Sequence, residues 1–236
     1  MRIVLAHLNS KTPHKTPSCE YVTDKRVSIS LDSVTLDGDL SEPPLRKGVQ
    51  TKKLVIFAHG SGSSRLSPRN RFVAQFLQDK GFATLLFDLL TEKEDQNYEM
   101  RFDIELLAKR LVDATNWISQ NLNSKVAIGY FGASTGAAAA LIASTRFGSD
   151  RVRAIVSRGG RVDMAGPYLS KVVAPTLLIV GQRDENVLEL NRSALNALAS
   201  STKKLTIIPT ATHLFEEPGT LDQVAKHATD WFEKYL

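Results

Sequence analysis

Six apolar runs constrain this chain more than any other feature. They are LVIFAH (54–59), ATLLFD (83–88), VAIGYF (126–131), VRAIVS (152–157), TLLIVG (176–181) and KLTIIP (204–209). None alternates with period two. A strand that is apolar at every position buries both faces, which requires a parallel sheet with helices on each side. The intervals between the runs fit those helices. Ser67-Pro68 can cap and start one that ends at Gly81. Others are expected at about 101–121, 134–147, 186–200 and 218–236, the first with a partly apolar face of Phe102, Leu106, Leu111 and Trp117. Strand–helix alternation over 236 residues specifies one α/β domain with a mostly parallel sheet.

The start of the chain has a different pattern. RVSISLDSVTLDGDL (26–40) alternates apolar and polar residues and contains Asp37-Gly38, which predicts an antiparallel hairpin leading into the sheet. SEPPLRKGVQTKK after it is a loop. Residues 1–24 are weakly patterned and are expected as an N-terminal extension. Residues 25–236 form the single domain.

Composition narrows the function classes. The apolar share of 42% and charged share of 23% suit a well-packed core. Cys19, the sole cysteine, can form no internal disulfide, and no Cys/His spacing suggests a metal site; a reducing compartment fits. No apolar run approaches the roughly 18 residues of a membrane helix. MRIVLAHLNSKTPHK lacks the apolar core and cleavage site of a secretory signal. The expectation is a cytoplasmic protein with no membrane partner. The formal charge of +5 is scattered, without a dense Lys/Arg run, and aromatics make up only 7%. This argues against a nucleic-acid partner and for a surface that favours anionic ligands.

In an open parallel sheet, ligands bind beyond the carboxyl ends of the strands. Five strand ends carry polar chemistry: His59-Gly60-Ser61-Gly62-Ser63-Ser64, Gly132-Ala133-Ser134-Thr135-Gly136, Arg158-Gly159-Gly160-Arg161, Gln182-Arg183-Asp184 and Thr210-Ala211-Thr212-His213. G-x-S-x-G arises by chance in a chain this long with a probability on the order of 0.1. Here it follows a strand and opens a helix, as a nucleophile elbow requires. The competing reading of Ser134 is a helix N-cap beside packing glycines.

A serine hydroxyl attacks only when a base takes its proton. His7 and His14 lie in the irregular start, His227 lies inside the last helix, and His59 is placed to orient the first glycine loop. His213 remains, at the same sheet edge as Ser134. The base needs an acid to fix its tautomer. Asp184 is the candidate, with a helix cap as its competing role and Glu185 as its rival. Ser, Asp, His is the chain order of an α/β-hydrolase arrangement. An oxyanion hole would take the N–H of Thr135 and one from HGSGSS, with Ser61 the first choice and Gly62 the rival. HGSGSS matches neither common phosphate-loop pattern.

FAHGSGSS, FGASTGAAAAL, VSRGGR, LLIVGQRDENV and ATHLFEEPG together resemble the α/β-hydrolase superfamily, and within it the small dienelactone-hydrolase-like proteins, over roughly residues 25–236. The SRGGR and HLFEEPG segments resemble a subgroup sometimes fused to phosphoribosyltransferase domains. The resemblance implies Ser134 as nucleophile, Asp184 as acid and His213 as base, with no metal and no organic cofactor. Dienelactone hydrolases proper carry cysteine where this chain has Ser134, so the resemblance implies an ordinary serine esterase acting on an ester, thioester or lactone. The alternatives are a catalytically silent binding protein of the same fold and an acyltransferase or perhydrolase using the same triad.

The connection 158–174 is too short for a cap domain, which predicts an open site for a small-molecule substrate. Arg158 is expected either to hold an anionic group of that substrate or to organise the loops from below, and Gly62 is a second candidate for substrate contact. Arg161 lies in the same connection, and the plainer alternative there is a salt bridge such as Arg161 to Asp163. Arg65 adds a third guanidinium. TEKEDQNYEM (91–100) is expected as a mobile flank of the entrance.

Overall fold

Eight strands form one sheet in the order β1-β2-β4-β3-β5-β6-β7-β8 in a computed structural model that describes residues 23–31, 33–43, 51–122, 124–148 and 150–236. The strands are β1 (Thr23–Ser30), β2 (Thr35–Glu42), β3 (Lys53–Ala58), β4 (Ala83–Phe87), β5 (Ala127–Ala133), β6 (Val152–Arg158), β7 (Thr176–Gly181) and β8 (Lys203–Ile208). From β4 to β8 every ladder is parallel; β1 and β2 add an antiparallel edge. The helices are α1 (Pro68–Asp79), α2 (Glu92–Asp95), α3 (Ile104–Asn121), α4 (Thr135–Ser144), α5 (Glu185–Ala197) and α6 (Thr220–Tyr235). One core cluster packs α1 and α6 on one face of the sheet. A larger one packs α3 and α4 on the other, with part of α5. This is the α/β-hydrolase architecture that the continuous apolar runs require. Residues 1–22, with Cys19, and 44–50 of the expected loop lie outside the described residues.

The expected helix start is present: the Ser67 hydroxyl accepts from Asn70 N–H and Pro68 stands in the first turn. Two expectations need correction. The hairpin exists, but β1 ends at Ser30 and β2 begins at Thr35, with Leu31 N–H donating to Val34 C=O between them, so Asp37-Gly38 is not its turn. Gly38 sits inside β2 opposite Val27 and Phe87. A Cβ there would stand 3.0 Å from the Val27 side chain and 3.3 Å from those of Leu85 and Phe87, so the glycine relieves cross-strand crowding and makes no turn. The polar run 91–100, expected as a mobile flank, folds into α2 and the start of a 3-10 turn (Glu99–Phe102). Thr91 and Glu94 form a reciprocal capping box. Buried Arg110 pairs with Glu94 at 2.9 Å, and Arg101 pairs with Asp95 at 2.9 Å. The Thr-x-x-Glu spacing carried that signal in the sequence.

The helix after β5 lies very close to the sheet. Ala137, Ala138, Ala139 and Ala140 are fully buried. Gly136 faces the carbonyls of Ala58 and His59 at the end of β3, within a distance that admits no Cβ. Gly136→Ala forces backbone apart in a core at crystal-like density. The expected loss is about 3 kcal/mol, which lowers the melting temperature by roughly 10 °C in a chain of this size. Thermal unfolding of the variant checks this, and an unchanged midpoint would show that the elbow can relax away from β3.

Candidate active site

The elbow between β5 and α4 is the first element of the site. Ser134 has φ 51° and ψ −122°, a strained conformation for a residue with a side chain. Gly132 permits the turn, since a Cβ there would stand 2.5 Å from the Cα of Ala137. The strained residue is held by its own backbone: Ser134 N–H donates to Arg158 C=O at 3.2 Å, and Arg161 N–H donates to Ser134 C=O at 3.0 Å. Although Ser134 occupies the N-cap position of α4, its hydroxyl caps nothing. The capping reading of this serine does not hold.

Asp184 repeats the pattern at α5. It occupies the N-cap position and its carboxylate makes no cap bond. Oδ2 instead accepts from Nδ1 of His213 at 2.6 Å. A carboxylate accepts only, so Nδ1 supplies the hydrogen of this bond and Nε2 is the ring nitrogen turned to the rest of the site. The rival acid, Glu185, is exposed on α5. His213 lies in the loop after β8, and its ring rests over Gly159. A Cβ on Gly159 would lie 3.4 Å from the ring's Cε1 and Nδ1. Gly160 C=O accepts from the buried Asn191 side chain at 2.8 Å, which ties this segment to α5. The Ser134 backbone and the His213 ring thus meet the same segment after β6. No hydrogen bond joins the Ser134 hydroxyl to His213 among the described residues, and such contacts commonly tighten only around substrate.

The glycine loop after β3 passes against the serine: a Cβ on Gly60 would stand 3.0 Å from Cβ of Ser134. His59 braces this loop. Its Nδ1 donates to Gly60 C=O at 2.9 Å, and Nε2 accepts from Leu89 N–H at 3.0 Å. Burial holds the imidazole below its ordinary pKa, in agreement with a neutral ring that both donates and accepts. Ser61 and Thr135 are brought together, but Ser61 N–H donates to Oγ1 of Thr135 at 2.8 Å. Gly62, at φ 66°, lies beside Arg101. Arg101 was not legible as a neighbour of this loop. Nothing local in the sequence marks it, because the 3-10 turn after α2 brings it there.

Each of the three arginines considered for anion binding has a partner within the protein. Arg158 is 6% exposed. It donates to the Asn70 side chain at 3.2 Å and lies 5.9 Å from the Phe215 ring centroid. Burial, together with nearby Arg69, pushes its pKa down to about 10. It is the last residue of β6, and its side chain lies between Asn70 of α1 and Phe215 of the His213 loop, the contacts a loop-organising role would use. Arg161 binds Asp163 through two bonds, at 2.9 and 2.8 Å. Arg65 binds Asp88. A cavity of about 520 Å³ opens beside the glycine loop, lined among others by Asp37, His59, Ser63, Asp88 and Thr91, and neither Ser134 nor His213 borders it. Among the described residues, no helix is long and apolar enough to cross a membrane.

No family model matches the chain. Over 214 residues it is 55% identical to two Mycobacterium tuberculosis proteins, from strains CDC 1551 and H37Rv, that are named provisionally as phosphoribosyl transferases. The match takes in 90% of this chain and 47% of theirs, so the chain spans about half the length of the curated relatives it matches. Among solved structures it is similar to a dienelactone hydrolase from Anabaena variabilis, at 50% identity and TM-score 0.85 over 91% of this chain and 99% of that one. An esterase from Pyrococcus furiosus shares the fold, at 19% identity and TM-score 0.72 over 97% and 99% of the two chains.

Two expected outcomes follow from the braces around the site. Because burial lowers the His59 pKa in the folded state, the unfolded chain takes up a proton there that the folded chain refuses. Stability therefore falls as pH drops below about 6.5, until the lower folded pKa is passed. His59→Gln should flatten that fall in denaturant titrations between about pH 7.5 and pH 5.5; equal slopes in the two proteins would assign the pH dependence elsewhere. Arg158→Ala should reduce stability by about 2 kcal/mol in denaturant titration; an unchanged midpoint would show that its contacts to Asn70 and Phe215 do not hold these loops.

Proposed function

Since this chain belongs to the dienelactone-hydrolase-like group of the α/β-hydrolase superfamily, we propose that it is a serine hydrolase cleaving an ester, thioester or lactone of a small carboxylic acid. One observation carries the reading: the two residues at helix-cap positions, Ser134 and Asp184, leave their helices uncapped, and Asp184 gives its carboxylate to His213. Cap-type side chains kept off their own helices are available for other chemistry.

In this reading the Ser134 hydroxyl oxygen attacks the substrate carbonyl carbon while Nε2 of His213 takes its proton. Asp184 holds Nδ1–H and stabilises the imidazolium that forms. The carbonyl oxygen becomes the oxyanion of a tetrahedral intermediate. Thr135 N–H, first in α4 and without an intrahelical acceptor, stands beside it at the positive end of the helix. Ser61 N–H is the second donor. Collapse expels the leaving group, which takes the proton from His213, and leaves an acyl-enzyme on Ser134. Water, deprotonated by the same histidine, releases the acid. The reading invokes no metal and no organic cofactor, and places the enzyme in the cytoplasm with a small-molecule substrate.

The name carried by the longer relatives is not proposed here. They are matched over 47% of their length, and the strand-end loops of this chain lack the usual phosphate-cradling patterns. The lactone named for the Anabaena protein falls within the proposed substrate class.

Intact mass after fluorophosphonate treatment tests the reading. Wild type should gain one adduct, and Ser134→Ala and His213→Ala none. On an ester that wild type turns over, either alanine variant should reduce kcat by roughly 10⁶ and Asp184→Asn by about 10⁴. A folded wild type that takes no adduct from a small probe would favour the catalytically silent fold.

A further inference from the structure

The contact between Ser61 and Thr135 has a consequence for the proposed oxyanion hole. Thr135 is buried and opens α4 directly after Ser134. Its backbone N–H is one of the two donors that the hole needs. Its hydroxyl accepts the other, Ser61 N–H, at 2.8 Å across 74 residues of sequence. One residue therefore carries one donor and holds the second.

The glycine loop is anchored elsewhere, but not at that point. Gly60 C=O accepts from His59 Nδ1 and from Ser63 N–H. Arg65 fastens the far end to Asp88 through its backbone N–H and its guanidinium. Those bonds fix where the loop begins and ends. The direction of Ser61 N–H at the loop tip is set by the Thr135 hydroxyl.

We propose that the Thr135 hydroxyl is a positioning residue for the oxyanion hole, a neutral stand-in acceptor that keeps Ser61 N–H aimed at the elbow while no substrate is bound. An anionic oxygen is the stronger acceptor. As charge develops on the substrate oxygen, Ser61 N–H passes to it from the neutral hydroxyl. The hydroxyl both donates and accepts, so it can turn and stay satisfied. The donor is oriented before the reaction begins, and a preorganised donor needs no rearrangement as the oxyanion forms. No covalent bond to Thr135 forms or breaks; only the hydrogen bond from Ser61 changes acceptor. The proposal rests on Ser134 being the nucleophile.

The test compares wild type, Thr135→Val and Thr135→Ser. Valine keeps the shape and removes the hydroxyl; serine keeps the hydroxyl and removes the methyl. Steady-state kinetics on p-nitrophenyl acetate, thermal unfolding and hydrogen exchange at the Ser61 amide are measured on each. In Thr135→Val, kcat should fall about tenfold, less than the roughly 10²–10³ of losing a donor outright. KM and the melting temperature should hold, and the Ser61 amide should exchange faster. Thr135→Ser should restore both kcat and protection. Wild-type kcat in the valine variant overturns the proposal, as does a loss of kcat that serine does not restore. A wild type that neither hydrolyses the ester nor takes a fluorophosphonate instead removes the serine-hydrolase reading itself, and the oxyanion role with it.

Discussion

The site depends on one strained residue and on the absence of side chains around it. A non-glycine residue in the conformation of Ser134 carries a cost on the order of 1–3 kcal/mol. It persists because its surroundings leave no other arrangement. Gly136 lets α4 lie against the end of β3, Gly132 lets the chain reverse beneath it, and two backbone bonds to the segment after β6 hold Ser134 from the side. The alanine run of α4 belongs to the same solution, since larger side chains would lift the helix from the sheet. Elbow, helix and sheet are thus one packing problem. The half-buried serine stays at the sheet edge because the backbone has no freedom to withdraw it.

Much of this could be read from residue order. Continuous apolar runs locate buried parallel strands because both faces are covered, and β7 was legible to the residue. The glycines around Ser134, and the positions of Asp184 and His213 at strand ends, place three side chains at one sheet edge without any structural information. What pattern could not supply was pairing between distant segments. Asp37-Gly38 has the composition of a turn, yet Gly38 is needed inside β2, where the crowding comes from β1 and β4. Arg158 looks like an open cation in a loop, yet its head is buried against Asn70 and Phe215. Ser61 was legible as a donor, but the acceptor it meets, 74 residues on, was not.

Ser134 and Asp184 show how composition can mislead about role. Both are residue types favoured at helix starts, and both stand at helix starts. In sequence each is indistinguishable from a cap. In space each points its functional group away from the helix it begins. The same backbone geometry that suits a cap also brings a side chain to the carboxyl edge of a parallel sheet, where helices begin and ligands bind. Position decides between the two roles, and position depends on strand order.

The segment Arg158–Arg161 bonds the backbone of the proposed nucleophile and seats the ring of the proposed base on Gly159. The spacing between the two groups is therefore tied to one short span of chain as well as to the bond from Asp184 to the ring. A shift of the end of β6 reaches both groups at once, so the alignment that the proposed chemistry needs is bound to the integrity of that sheet edge.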